Sequence, residues 1–218
     1  MKHAIRGFML LVSAILISPV FTTAQSISAY FGGGSATAPS VGSINTLGAG
    51  TFYQAPSMSG FFETFGADVI FFHNLGVGVE LSTRNGRAPY AGLTYHPSFY
   101  DANLVYRPRT LAHRIAPEIQ AGFGESDLNF YYTSTICYKL PQGCSGVNTE
   151  AFSANNNQIH AAFGARFYAY RGLFVRPQFD FRYVQGNFTT YFGRSWVPQY
   201  SVAIGYTYNL SSKLGKGK

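Results

Sequence analysis

Few residues of this chain have the types and spacing to do chemistry. His96-Pro97-Ser98 sets an imidazole two positions from a hydroxyl, a spacing that places both on one face of a strand. Nothing in the sequence supplies the orienting third group that a triad needs. Pro97 lacks the N–H of a ladder position, so the pair is expected in an outer loop. His160 has no metal-ligand companions nearby and reads as a buried, hydrogen-bonded histidine. Cys137 and Cys144 are the only cysteines and share the polar stretch Tyr131 to Asn157. Two thiols without neighbouring histidines fall short of a zinc site; in an exported chain they are expected as a disulfide. No catalytic residue, metal or cofactor is assigned.

The remaining candidates are charges, and their spacing defines the elements that carry them. At Leu173–Asn187, Val175, Pro177, Phe179, Phe181 and Tyr183 alternate with Arg176, Gln178, Asp180 and Arg182, the period-two signature of a strand. The same alternation recurs at Gly60–Phe72, Gly76–Arg84, Tyr100–Tyr106, Ala116–Gly124, Gln158–Tyr170 and Tyr200–Leu210, and more weakly at Ser26–Gly34. That makes eight strands of about the length that crosses a bilayer when tilted. Asp68, Glu80, Asp101, Glu118, Arg166, Arg176, Asp180 and Arg182 all fall on one face, while the other is apolar through mid-strand. A soluble barrel has the opposite arrangement. An antiparallel up-and-down transmembrane β-barrel, oily outside and polar within, satisfies it. Gly66, Gly122, Gly164 and Gly205 are on the polar face and are expected to make room for the long arginines. Eight strands enclose only enough space for side chains, so the charges are expected to pair into a network; a selective channel is the alternative.

Composition agrees with that architecture. The 218 residues include 20 Phe, 16 Tyr and 24 Gly but only 11% charged residues, against about 25% in ordinary soluble domains, and mean hydropathy is +0.02. No stretch is long and apolar enough for a transmembrane helix. The net charge of +7 is spread singly along strands rather than clustered, which argues against nucleic-acid binding. Residues 1–24 have a basic start, an apolar run from Gly7 to Ser18 and a small-residue exit ending at Ala24, as in a secretory signal peptide. The barrel domain is then residues 25–210, and residues 211–218 form a short basic tail. Long connections (35–59, 85–97, 131–157 and 188–196) alternate with short ones, the asymmetry of outer loops and periplasmic turns. Trp196 and Tyr131, Tyr132, Tyr191 and Tyr200 near strand ends read as an aromatic girdle.

On these residues the chain resembles the small eight-stranded bacterial outer-membrane β-barrel proteins of the OmpA/OmpX type, over roughly Ser26 to Leu210. The most specific piece is Ala203-Ile204-Gly205-Tyr206-Thr207-Tyr208-Asn209-Leu210. It looks like the family's C-terminal assembly signal, with Gly205, Tyr208 and Leu210 at its key positions, although Ser211–Lys218 follow where the family ends on an aromatic. The resemblance implies the barrel-assembly machinery and outer-membrane lipids as partners, and a monomer in the outer membrane. It also implies a non-enzymatic structural or surface-interaction role through the outer loops, with an unknown external ligand. The alternatives are a narrow small-solute pore and, since some such barrels use a His-x-Ser pair to deacylate lipid A, a lipid-modifying enzyme.

Overall fold

A computed structural model describes residues 25–38, 43–44, 53–54, 56–72, 74–90, 92–108, 114–137 and 144–210. The expected signal peptide and basic tail lie outside them. The strands are β1 (Ser26–Ala36), β2 (Ser43–Ile44), β3 (Tyr53–Gln54), β4 (Gly60–Phe72), β5 (Leu75–Arg84), β6 (Ala88–Tyr90), β7 (Leu93–Tyr106), β8 (Ile115–Cys137), β9 (Cys144–Tyr170), β10 (Leu173–Val184) and β11 (Trp196–Asn209); one short helix, α1 (Phe188–Phe192), precedes β11. Eight of the strands form a closed antiparallel meander, β1-β4-β5-β7-β8-β9-β10-β11, which β11 seals by pairing with β1 from Ser26↔Asn209 to Ala36↔Gln199. Closure leaves no edge along the barrel wall. No helix among the described residues is long and apolar enough to cross a membrane.

Alternation is followed residue by residue. β11 runs exposed–buried through most of its length, and the same holds for β10. The outward set is apolar: Phe31, Leu104, Phe123, Ile159, Phe163, Val202 and Tyr206 are all more than half exposed, an apolar surface far beyond the patches of water-soluble monomers. At one end the β9–β10 hairpin is tight. Arg171 and Gly172 both take positive φ (43° and 96°), the two-residue turn whose twist suits antiparallel strands. The chain's first and last barrel residues meet at this turn end, where Leu210 N donates to Gln25 O at 3.0 Å.

The loop end departs from expectation in three ways. The stretch 131–157 is not an irregular loop: β8 and β9 continue through it, pairing as far as Cys137↔Cys144. Polar residues there (Thr149, Glu150, Ser153 and Asn155 to Asn157) are mixed with Ala151, Phe152 and Ala154 without strict alternation, which is why the stretch reads locally as a loop. Secondly, β7 starts at Leu93, so His96-Pro97-Ser98 lies in the wall. On one side Pro97 pairs with Leu128; on the other the ladder runs from Thr83↔Ser98 to Ala88↔Tyr95. Pro97 therefore faces the gap between β5 and β6, where a missing N–H is tolerated. Thirdly, the connection 188–196 folds inward, and Phe188 and Phe192 of α1 are buried with Tyr90, Tyr95, Phe99, Phe62 and Phe130. Tyr191 packs on Tyr90 and Phe130 in this cap instead of joining a girdle. Trp196, in contrast, is exposed and stacks on Phe181 outside, with ring centroids 4.5 Å apart.

Candidate functional site: the barrel interior

Inward positions of six of the eight wall strands, β4, β5, β7, β8, β9 and β10, meet as one continuous set of ion pairs. Glu118 on β8 is its hub. Its carboxylate lies 3.0 Å from Arg107, 2.7 Å from Arg166 and 3.1 Å from Arg176, and accepts a hydrogen bond from Gln120 at 2.8 Å. Arg107 and Arg166 also hold Asp68. Arg176 reaches on to Glu80 at 3.0 Å, and Arg182 links Glu80 (3.2 Å) to Asp101 (2.9 Å). Asp180 accepts from His160 Nε2 at 3.1 Å and from Gln178. All eight charged residues expected on the inner face are thus brought together, each nearly or wholly buried. In water such pairs are worth little; here a lost partner leaves a desolvated charge.

Arg107 completes the set; the strand-based reading does not include it, because it stands one residue beyond β7, which ends at Tyr106. The signal was present: Arg107 continues the parity of Asp101, Asn103 and Val105. Arg84, at the loop end of β5, donates to Tyr95 Oη at 3.2 Å. Tyr30 is the other omission. Its hydroxyl donates to Glu80 at 3.0 Å, and its ring lies 3.5 Å from the Arg176 guanidinium carbon, a desolvated cation–π contact.

The inner glycines serve partners other than those expected. Side chains on two strands can touch over a third only where the middle residue has no Cβ. Tyr30, Gly66 and Glu80 are in register on β1, β4 and β5, and a Cβ at Gly66 would overlap the Tyr30 ring. Asn103, Gly122 and His160 repeat the arrangement on β7, β8 and β9, where a Cβ would collide with Asn103 Oδ1. Gly205 likewise admits Phe174 and Tyr30, so packing alone explains the glycine of the expected assembly signal. Tyr208 of that signal points outward and Leu210 is half-buried. Gly66→Val is expected to cost about 1–3 kcal/mol by overpacking, read as a lower urea midpoint of the refolded barrel. Tyr30→Ala in the same chain should recover part of that loss, and a double variant weaker by the sum of both changes would refute the steric account.

Above the charges, toward the loop end, the aromatic cap closes the lumen. Phe62 and Phe99 stack at 5.8 Å, and Tyr95 and Phe192 lie 5.2 Å apart. Outside the cap, a cleft of ≈ 410 Å³ opens between the β8–β9 pair and the turn after β10, lined by Glu125, Asn155, Asn156, Asn157, Gln185 and Asn187.

Two further candidates take their places on the wall. Glu80, Asp101 and His160 offer ligand atoms within 4.8 Å of one another, close enough for a cation. Each is already engaged, however: Glu80 by Tyr30, Arg176 and Arg182, Asp101 by Arg182 and Gln158, His160 by Asn103 and Asp180. A metal ion would have to displace guanidinium groups. His96 and Ser98 point outward, opposite Asn129 and Asp127 of β8. The Ser98 hydroxyl is 2.9 Å from Thr83 Oγ1, and among the described residues no hydrogen bond joins it to His96.

No family model and no curated protein matches the sequence. The likeness is in the fold. A major outer membrane protein from Thermus thermophilus superposes with a TM-score of 0.56 at 10% identity, over 84% of this chain and 99% of that one. Neisserial surface protein A gives 0.52 at 10% identity, over 85% and 96%. Ail, the attachment invasion locus protein of Yersinia pestis, in complex with the heparin analogue sucrose octasulfate, gives 0.50 at 11% identity, over 84% and 98%. The chain has the closed eight-stranded antiparallel fold of the small bacterial outer-membrane β-barrels.

Proposed function

We propose that the protein is a non-enzymatic outer-membrane barrel with a sealed lumen, which acts on the cell exterior through the β8–β9 pair. The observation that carries this is the filled interior: among the described residues, ion pairs from Asp68 to Asp101 and then the aromatic cap occupy the lumen. Export by the segment 1–24, insertion by the barrel-assembly machinery reading the end of β11, and a monomeric state among outer-membrane lipids belong to the same proposal. The outward apolar belt supports the membrane setting.

The β8–β9 pair supports the exterior role. At 23 and 27 residues, its strands are about twice what a bilayer crossing needs. Pairing of β9 with β10 stops at Gln158↔Val184 and Gln185 N still donates to Asn157 O, so among the described residues β9 from Cys144 to Asn156 has no strand on its second side, a surface on which a partner strand can add. The amide-lined cleft opens at its base. His96 and Ser98 support the lipid-modifying alternative less well, since the hydroxyl pairs with Thr83 and not with the imidazole.

Planar-bilayer recordings test the sealed lumen. Wild-type protein is expected to show no steady conductance; ion-selective steps that shift on mutating Arg176 or Arg182, without loss of the fold, would establish the pore instead.

Cys137 and Cys144 face each other in the ladder at the end of the pair, and we assign them as a disulfide closing its tip. Alkylation of the unreduced, exported protein should modify neither thiol, and labelling of both would reject the bond. Replacing both by serine is expected to leave the barrel folded, because no wall strand depends on that tip.

A further inference from the structure

His160 is a buried titratable group that the sealed-lumen reading leaves without a task. We infer that it is a resident imidazolium, the fifth cation of the interior, whose proton keeps the plug both neutral and hydrogen-bonded.

The inference deepens the sealed-lumen proposal and rests on two observations. The first is a relay of hydrogen bonds whose direction is set at one end. Glu118 faces three guanidinium groups and is an acceptor only. Gln120 must therefore present its amide N–H to Glu118, at 2.8 Å, which turns its Oε1 toward Asn103. Asn103 then donates through Nδ2 to Gln120 at 3.1 Å, so its Oδ1 faces His160 Nδ1 at 2.9 Å. That oxygen accepts, and Nδ1 must carry a hydrogen. The opposite ring nitrogen, Nε2, faces the Asp180 carboxylate at 3.1 Å and must carry one too. A neutral imidazole has one N–H, and either tautomer would set a lone pair against an acceptor at a residue only 1% exposed.

The second observation is the charge count. The buried charged residues are five carboxylates, Asp68, Glu80, Asp101, Glu118 and Asp180, and four guanidiniums, Arg107, Arg166, Arg176 and Arg182, among the described residues. One positive charge is wanting, and the only buried histidine there stands beside the carboxylate that no arginine pairs with, Asp180. The charges facing His160 are Asp180 and Arg182 from β10, Asp101 from β7 at 3.9 Å and Glu80 from β5. β8 contributes none, because Gly122 occupies the position between Asn103 and His160. Loss of the ring proton would leave a net negative interior and one acceptor–acceptor contact together. The barrel is therefore sensitive to alkali in a range where its carboxylates and guanidiniums do not titrate.

Ring-nitrogen NMR of the full barrel in detergent micelles at about pH 7.5 tests this directly, with the His160 signals assigned by their absence in His160→Gln. Both His160 nitrogens are expected to carry protons. A one-proton tautomer at His160 overturns the inference. In urea titrations from about pH 6 to about pH 9, the wild-type unfolding constant is expected to rise with pH by up to about tenfold per unit, the limit for one proton. His160→Gln is expected to be weaker than wild type at the acid end and nearly flat, while His96→Gln should keep the wild-type slope. A wild-type slope that survives in His160→Gln also overturns the inference. If His160→Gln does not fold, the wild-type ring signals decide alone, assigned by spin-system connectivity. A barrel that conducts yet holds a doubly protonated His160 would refute the sealed lumen and leave this assignment standing.

Discussion

Arg176→Ala is expected to destabilise the barrel by about 3–5 kcal/mol, the range for removing one partner of a buried ion pair. Among the ion pairs of the described residues, Arg176 alone joins the lower charges at Glu118 to the upper ones at Glu80, at 3.1 and 3.0 Å, while its guanidinium covers the Tyr30 ring. Alanine would leave two carboxylates short of a donor and a void beside an aromatic face. Arg176→Lys is expected to recover only part of the loss, since an ammonium cannot fork to two acids across that span. Arg194→Ala, in the connection after α1, should change stability by no more than about 0.5 kcal/mol. Urea midpoints of the refolded protein and the gel shift between boiled and unboiled samples measure all three. Equal midpoints for Arg176→Ala and Arg194→Ala would mean that the interior charges do not hold the barrel together.

Phe163→Arg is expected to cost roughly 2–4 kcal/mol in lipid, the penalty for an arginine facing hydrocarbon near the midplane of a transmembrane barrel. Phe163 is 56% exposed on β9, level with Ile119 and Phe179 on its neighbours, and its own neighbour in sequence, Gly164, pairs with Glu118 in the middle of the network. The sign of the effect identifies the solvent. On a barrel standing in water, exchanging an exposed phenylalanine for arginine would be close to neutral. Refolding into lipid vesicles, compared between wild type, Phe163→Arg and Phe163→Tyr, gives the answer, and a Phe163→Arg protein as stable as wild type would contradict the membrane setting.

Much of this was legible in the chain before any coordinates. Period-two alternation is a local property, so a run such as Val175 to Tyr183 displays its two faces without reference to the rest of the molecule. It placed Asp68, Glu80, Asp101, Glu118, Arg166, Arg176, Asp180 and Arg182 on one side of the six strands that carry them. Strand ends were less legible. Pro97 and the polar run after Tyr131 mimic loops locally, and only pairing with Leu128 and with β9 keeps them in strands.

What the chain by itself determined is therefore which way each side chain points and how many strands there are. Tertiary structure decided who meets whom. That Asn103 touches His160, that Tyr30 rather than an arginine fills the space over Gly66, that Arg107 shares Asp68 with Arg166, and that α1 folds in to cap the lumen all depend on register between strands far apart in sequence. Register is set by closing the whole ring, because sliding one strand past its neighbours would break two ladders and misalign every inward charge at once. No single segment carries that constraint, and so no single segment could show it.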